Sequence, residues 1–105
     1  MDKLIEKLTQ AQEGSRYLDE SICEVIGEPL VYVGQADQHF PAKPYTTSLD
    51  AALTLVPEGR EWHVGRLPFA VRYEARVVAK HEQCFATANT PALALCIAAL
   101  KARNG

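Results

Sequence analysis

The histidines and cysteines are the residues of this chain best suited to metal binding or nucleophilic catalysis. His39, His63 and His81 are far apart in the sequence, so they do not form the cluster of ligands that a zinc site needs. A nucleophilic pair of Cys84 with His81 has little support, because a cysteine in a strand is usually a core residue. P-loop, GxGxxG, GxSxG and HExxH motifs are absent. We therefore predict no catalytic residue, metal or cofactor, and we expect that the protein is not an enzyme.

Arginines, helix starts and aromatic side chains could instead hold a small anionic molecule. Arg16 lies at the start of a predicted helix, where a cation is unfavourable to the helix dipole. It is either a solvated side chain or a contact for an anion. Arg72, Glu74 and Arg76 alternate along a predicted strand, a pattern typical of cross-strand charge pairs. The aromatic residues available for stacking are Tyr17, Tyr45, Trp62, Tyr73 and Phe85.

Composition limits the classes of partner. The formal net charge is −2, with 11 basic and 13 acidic residues, so a broad basic surface for a nucleic acid polymer has no support. No apolar stretch reaches the roughly 18 residues of a membrane span, and the N-terminus does not resemble a signal peptide. The three cysteines form no CxxC pair, which is typical of reduced core thiols. We expect one cytoplasmic domain spanning residues 1–105.

The final helix, predicted over residues 90–103, is the most strongly specified element. Thr90 is a suitable N-cap, and Pro91 suits the first helical position because its missing N–H is not needed there. One face of this helix is formed by large apolar residues, and the opposite face is apolar too. A helix that is apolar all round must be covered on two sides. It is therefore either central to the domain or packed against a second copy.

Three further helices are predicted upstream. The first starts near Asp2 and stops at Gly14, and the second begins at once with Ser15 as its N-cap. A third follows the hydroxyl-rich turn at Thr47, which could cap the helix together with Asp50. The same turn could instead hold a phosphate at the helix start.

Strands are predicted where the apolar period changes from about 3.6 to 2. Trp62 and Val64 begin this part, residues 69–77 form its longest strand, and residues 83–87 form a shorter one. Residues 30–33 could add an edge strand, followed by a loop over residues 34–44. The order of elements predicts an α+β fold, in which helices cover both faces of a small antiparallel sheet.

Two stretches, YTTSLDAALTLVPEG followed by EWHV, and TANTPALALCIAALKAR, resemble the phage α-β-α sandwich domain family. The resemblance covers residues 45–64 and 86–103, with residues 16–19 in a compatible place. The family resembles, and is identified as including, the Thoeris anti-defence sponge proteins. These bind cyclic ADP-ribose signals without cleaving them, and some relatives bind other cyclic nucleotides.

The resemblance implies a phage protein that sequesters a cyclic nucleotide signal in the host cytoplasm, as a homo-oligomer (a dimer or larger). Arg16, Asn89, Thr90 and Arg103 are the predicted contacts for the anion. Trp62 and Phe85 are the predicted stacking partners for a base. The alternative is a module that inhibits a host defence protein by direct binding, since the apolar final helix could form a partner surface.

Overall fold

Four helices and three strands form the part of the protein that the structure describes. The computed structural model describes residues 2–27, 43–67, 72–79 and 82–104. The edge strand predicted at residues 30–33, and most of the predicted loop, lie outside these ranges. In chain order the elements are α1 (Asp2–Gln10), α2 (Arg16–Ile26), α3 (Leu49–Leu53), β1 (Trp62–Arg66), β2 (Tyr73–Val78), β3 (Gln83–Ala88) and α4 (Pro91–Asn104).

Helix α4 lies at the centre of the core. The predicted cap is confirmed, since Thr90 Oγ1 accepts a hydrogen bond from the Leu93 N–H at 3.1 Å. Every residue from 92 to 100 is buried. The helix packs against all three strands and also against α1 and α3. These neighbours explain why α4 is apolar all round, and they favour the central position over packing against a second copy.

The sheet is antiparallel, in the order β1-β2-β3. Its register places Val64 opposite Ala75, and Ala75 opposite Ala86. The predicted alternation in β2 is confirmed, because Ala75 and Val77 are fully buried in the cluster that contains α4. On β3, Ala86 and Ala88 complete this covered face. The small alanine side chains let the helix approach the strands closely.

The prediction of an α+β fold with helices packed on an antiparallel sheet is confirmed. The order of the layers differs from the predicted sandwich within the described ranges. There α4 covers one face of the sheet, and α1 and α3 pack on α4. The side chains on the opposite face, which we call the open face, are exposed or half-buried. A helix that is apolar all round needs two covering layers, so α4 takes the middle position that the prediction assigned to the sheet.

The strands differ from the prediction at their ends. Strand β1, predicted from Trp62 and Val64, continues through Gly65 to Arg66. The Leu67 N–H donates to the Arg72 carbonyl at 2.9 Å, so backbone pairing extends beyond the strand. Strand β2 spans Tyr73–Val78, and residues 69–71 of the predicted strand lie outside the described ranges.

Helix starts follow the predicted chemistry, with one correction. Ser15 caps α2, since its hydroxyl accepts from the Leu18 N–H at 3.2 Å. Helix α3 is capped by Ser48 and not by Thr47, because Ser48 Oγ accepts from the Ala51 N–H. Thr47 instead belongs to the preceding turn, where its N–H donates to the Pro44 carbonyl.

A buried polar cluster ties the start of α2 to the segment before α3. The Asp19 carboxylate is 5% exposed and accepts from the Thr46 N–H at 2.8 Å and from Thr46 Oγ1 at 2.7 Å. Thr46 Oγ1 in turn accepts from the Ser15 N–H at 2.9 Å. Gly14 touches the same segment so closely that a Cβ there would collide with the Thr46 carbonyl. Charge-assisted hydrogen bonds satisfy this carboxylate and fix the two helices relative to each other.

Candidate functional site

A row of three side chains crosses the open face of the sheet. The register aligns His63 of β1 with Arg76 of β2, and Arg76 with Phe85 of β3. The Arg76 guanidinium carbon lies 5.3 Å from the centre of the Phe85 ring, which is a cation–π contact. Phe85 is 52% exposed, so the ring still presents surface to solvent. The row therefore combines a positive charge with an accessible aromatic ring.

Arg76 has a donor without a partner. Its Nε is buried and has no hydrogen-bond acceptor among the described residues. A buried donor without an acceptor costs about 1–3 kcal/mol, so an incoming acceptor would recover free energy. An oxygen of a phosphate or carboxylate matches the fork of donors that a guanidinium presents.

Beside Arg76 the surface forms a cleft, which we call the sheet cleft. Its volume is about 240 Å³. Trp62, at the edge of the sheet, is 47% exposed and forms part of the wall. The cleft is lined by Glu61, Trp62, His63, Arg76, Val78 and Gln83. Trp62 opposes Val77, so its side chain belongs to the covered face, and the open-face residues give the cleft hydrogen-bond donors and one acidic side chain.

A second cleft, of about 350 Å³, lies between the starts of α2, α3 and α4. It is lined by Glu13, Gly14, Thr46, Thr47, Leu49, Thr90, Pro91 and Ala92. Two of its hydroxyl groups are already used within the fold, since Thr90 caps α4 and Thr46 bonds to Asp19. Pro91 offers no N–H, and the Glu13 carboxylate opposes an anion. Glu61 also lines the sheet cleft, but Arg76 supplies a positive charge there that the second cleft lacks, so the sheet cleft is better suited to a negative ligand.

The predicted anion contacts do not form one site. Thr90 and Arg103 lie at opposite ends of α4, about 20 Å apart at 1.5 Å per residue. Arg103 Nε donates to the Leu55 carbonyl at 2.8 Å, so it joins α4 to the end of α3. Arg16 is solvated, and its Nε lies 3.4 Å from Glu20 of the same helix. These contacts support the solvated interpretation of Arg16.

Asn89 also holds the fold together. Its Nδ2 donates to the Ala11 carbonyl at 3.1 Å, and its Oδ1 accepts from Arg72 Nη1 at 3.4 Å. Arg72 also reaches the Thr87 carbonyl at 3.3 Å. The cross-strand charge pairs predicted for the β2 arginines are not found in the described residues, where Arg16–Glu20 is the ion pair present.

The two predicted stacking partners lie on opposite faces of the sheet, since Trp62 opposes Val77 and Phe85 opposes Arg76. Arg76 was missed as a site residue because its alternation with Glu74 indicated an exposed strand face without showing which residues oppose it. The sequence does show an arginine on the polar side of the strand. Which residues oppose it depends on the register of the neighbouring strands, which the sequence does not give. The register then placed Phe85 on one side of it and His63 on the other.

The cysteines are reduced thiols in the core or at its margin. Cys96 is buried in α4, and burial raises the pKa of its thiol. Burial also raises the pKa of the Cys84 thiol, and the nearby Glu82 acts in the same direction. This direction is opposite to the one that activates a nucleophilic cysteine. His81, the predicted partner of Cys84 in a nucleophilic pair, lies outside the described residues.

No protein-family model, curated protein or solved structure matches the chain. The resemblance to the phage α-β-α sandwich family therefore stays a prediction. Within the described ranges, no group of histidine, cysteine and acidic side chains could hold a metal ion. In the same ranges, no helix has the length and apolar character needed to cross a membrane.

Proposed function

We propose that the protein is a non-enzymatic sponge for an anionic cyclic nucleotide, and that the sheet cleft holds the ligand. The observation that carries the proposal is Arg76, whose Nε finds no acceptor in the part of the chain that the structure describes, while its guanidinium stacks on Phe85 beside the cleft. A phosphate would supply the missing acceptor, and a purine ring would stack on Phe85. Glu61 would accept from the exocyclic amine of adenine.

The cleft is small for such a ligand. Its volume of about 240 Å³ is below the ~300–1,000 Å³ of ordinary small-molecule sites. We infer that it would take one base with its adjoining phosphate, while the rest of the cyclic molecule extends along the open face. Gly65, Glu74 and Thr87 continue that face, and the Glu74 carboxylate would keep the phosphate on the Arg76 side.

Sequestration requires binding and no chemistry. A sponge lowers the free concentration of a signal by mass action, so it must be abundant and bind below the threshold of the effector. The predicted setting, taken from the family resemblance, is a phage protein acting in the cytoplasm of its bacterial host. The raised pKa values of the Cys84 and Cys96 thiols favour sequestration over covalent catalysis by cysteine.

The test is a depletion assay followed by recovery. Purified protein in excess is incubated with cyclic ADP-ribose isomers and with cyclic di- and trinucleotides, and then heat-denatured. We expect at least one ligand to be depleted and recovered intact. If none is depleted, the sponge function is wrong. If a depleted ligand is recovered as a cleavage product, the protein is an enzyme.

A matched pair of arginine variants locates the site. Arg76→Met keeps an unbranched apolar side chain but removes the charge, and we expect affinity to fall about 10- to 100-fold, corresponding to ~1.5–3 kcal/mol. Arg16→Met removes an exposed arginine on α2 and should leave affinity unchanged. Equal affinities of the two variants would place the ligand elsewhere.

The alternative is a module that binds a host protein. Its original basis, the apolar α4, is not available to a partner because the domain buries that helix. A different observation supports it, since Trp62 and Phe85 are both about half exposed and aromatic residues are enriched in protein interfaces. A pull-down from host lysate discriminates: a stoichiometric host protein that is lost with Phe85→Ala supports the module.

A further inference from the structure

The two outer strands of the sheet expose their backbone in different ways. Val78 N–H donates to the Glu61 carbonyl, and Leu67 N–H donates to the Arg72 carbonyl. The odd-numbered residues of β1 therefore pair with β2, because backbone groups alternate in direction along a strand. The even-numbered residues Trp62, Val64 and Arg66 direct their N–H and C=O groups away from the sheet.

The outer edge of β3 is covered by cations. Phe85 and Thr87 direct their carbonyl groups outward, since the paired residues of β3 are the even-numbered ones. Lys101 Nζ donates to the Phe85 carbonyl at 2.9 Å, and Arg72 Nη2 donates to the Thr87 carbonyl at 3.3 Å. Charged side chains of this kind prevent an edge strand from pairing with another chain.

Within the described ranges, the outer edge of β1 has no such cover. Among the described residues, none donates to or accepts from the outward backbone groups of Trp62, Val64 or Arg66. Trp62 and Arg66 are exposed, and Val64 between them is half-buried. This edge is thus a free row of donors and acceptors, flanked by an indole at one end and a guanidinium at the other.

We propose that β1 pairs antiparallel with β1 of a second copy of this chain, centred on Val64. In this register Val64 opposes itself, and Trp62 of each copy opposes Arg66 of the other. Each of the three opposed pairs exchanges two backbone hydrogen bonds. By symmetry two Trp–Arg cation–π contacts flank the central valines. The two sheets become one sheet of about six strands.

Neighbouring registers are unfavourable. The outward N–H and C=O groups of β1 belong to its even-numbered residues. Any other register of the dimer must therefore again place even-numbered residues opposite one another. A shift toward the N-terminus opposes Arg60 with Arg66 twice, which sets like charges against each other. The Arg60 N–H is moreover already bonded to the Pro57 carbonyl at 3.1 Å. A shift toward the C-terminus opposes Trp62 with Pro68, which has no N–H to donate.

On the open face, this register places His63 of each copy opposite Gly65 of the other. Gly65 has no side chain, and the His63 imidazole of its own chain lies over it, with Nε2 3.1 Å from the position of a Cβ, so the two imidazoles would lie side by side across the contact. Glu61 would oppose Leu67 of the second copy. The sheet cleft, which Glu61 and His63 line, therefore borders the dimer contact. The pairing itself does not depend on the proposed ligand, because backbone groups and the Trp–Arg pairs carry it.

Cysteine cross-linking tests the register. In the proposed dimer the two Val64 Cα atoms are about 5.5 Å apart, within disulfide range, because they form a hydrogen-bonded pair. Val64→Cys should give a covalent dimer under mild oxidation. His63→Cys is the matched control, because the two His63 Cα atoms would be about 8 Å apart, beyond disulfide range. The wild-type chain, whose own three cysteines stay in place, gives the baseline.

Sedimentation equilibrium tests the dimer without cross-linking. We expect the wild-type mass to be twice the 11.6 kDa of one chain at high micromolar concentration. Val64→Pro removes an outward N–H that no bond within the chain uses, and it should shift the protein to monomer. Val64→Thr keeps the N–H and should remain dimeric. Circular dichroism identifies any variant that fails to fold, and the cross-linking result then decides.

Three results would overturn the proposal. The first is a wild-type chain that stays monomeric at high micromolar concentration. The second is His63→Cys cross-linking as fast as Val64→Cys. The third is a folded Val64→Pro variant that remains dimeric, which would assign the dimer to another surface.

Discussion

The two faces of the sheet are built from the same three strands and have opposite character. On the covered face, Ala75, Val77 and Ala88 are fully buried against α4. On the open face, His63 and Phe85 are exposed. The two sides of the sheet also differ in whether their buried polar groups have hydrogen-bond partners. The helical side satisfies the Asp19 carboxylate, whereas the open face leaves Arg76 Nε without an acceptor in the described residues.

The difference separates stability from recognition. Small apolar residues pack closely, so any change of volume on the covered face is costly. Charged and aromatic residues that remain accessible contribute little to folding but can contact a ligand or a partner. Substitutions on the covered face should therefore change the free energy of unfolding, and those on the open face should change binding.

The largest expected effect is a difference in alkylation rate between a cysteine inside the covered region and one at its margin. Cys96 lies within α4, so alkylation requires the domain to open, and we expect its rate to be on the order of 1,000-fold below that of a free cysteine. Cys84 is half-buried at the margin and should react faster than Cys96, yet more slowly than a free cysteine because its pKa is raised.

The pH dependence of Cys84 alkylation follows from the direction in which its pKa is shifted. With the Cys84 pKa raised above its ordinary value, the thiolate fraction should still climb about tenfold per pH unit between pH 7 and 9. Iodoacetamide labelling followed by mass spectrometry of peptides measures both sites. A rate for Cys84 that levels off near pH 7 would contradict the shift and would indicate an activated thiol.

Neighbouring valines on β2 compare the two faces directly. Val77→Ala removes buried methyl groups from the covered face and should lower the free energy of unfolding by about 2 kcal/mol. Val78→Ala makes the same change one residue later on the open face, where the side chain is half-buried, and should cost less than about 1 kcal/mol. Urea unfolding measures both. Equal losses would mean that the open face is covered in solution.

The smallest effect concerns the covered edge of β3. Lys101→Ala removes the hydrogen bond to the Phe85 carbonyl, and we expect a loss of at most about 1 kcal/mol because the lysine is exposed. Lys43→Ala, at an exposed lysine elsewhere, should be neutral. Lys101 also lowers the Cys84 pKa, so its removal should slow alkylation of Cys84. An unchanged alkylation rate would show that Lys101 does not act on that thiol.

Local patterns predicted much of the fold. The hydroxyl at Thr90 before Pro91 marked the start of α4, and the alternation in β2 assigned Ala75 and Val77 to the core. The cap of α3 was predicted one residue early, because Thr47 and Ser48 are equivalent by type and differ only in the turn that precedes them. Capping preferences distinguish residue types and not adjacent positions of similar type.

The candidate site was predicted less well than the fold. Trp62 and Phe85 were selected for their chemistry but lie on opposite faces of the sheet, and Asn89, Thr90 and Arg103 bond within the fold at separate ends of α4. Residue type indicates what a side chain can bind but not what it already bonds to. Arg76 was overlooked for the same reason, since its neighbours come from strands β1 and β3.

By itself, the sequence determined the helix starts, the two faces of β2, the all-round apolar character of the last helix and the absence of known catalytic motifs. Periodicity and capping are properties of consecutive residues, so they can be read without the fold. Only the tertiary structure decided that α4 lies between the sheet and the other helices, that one sheet face is open, and that Arg76 meets Phe85. Those outcomes depend on register and layer order, which bring together residues distant in the chain.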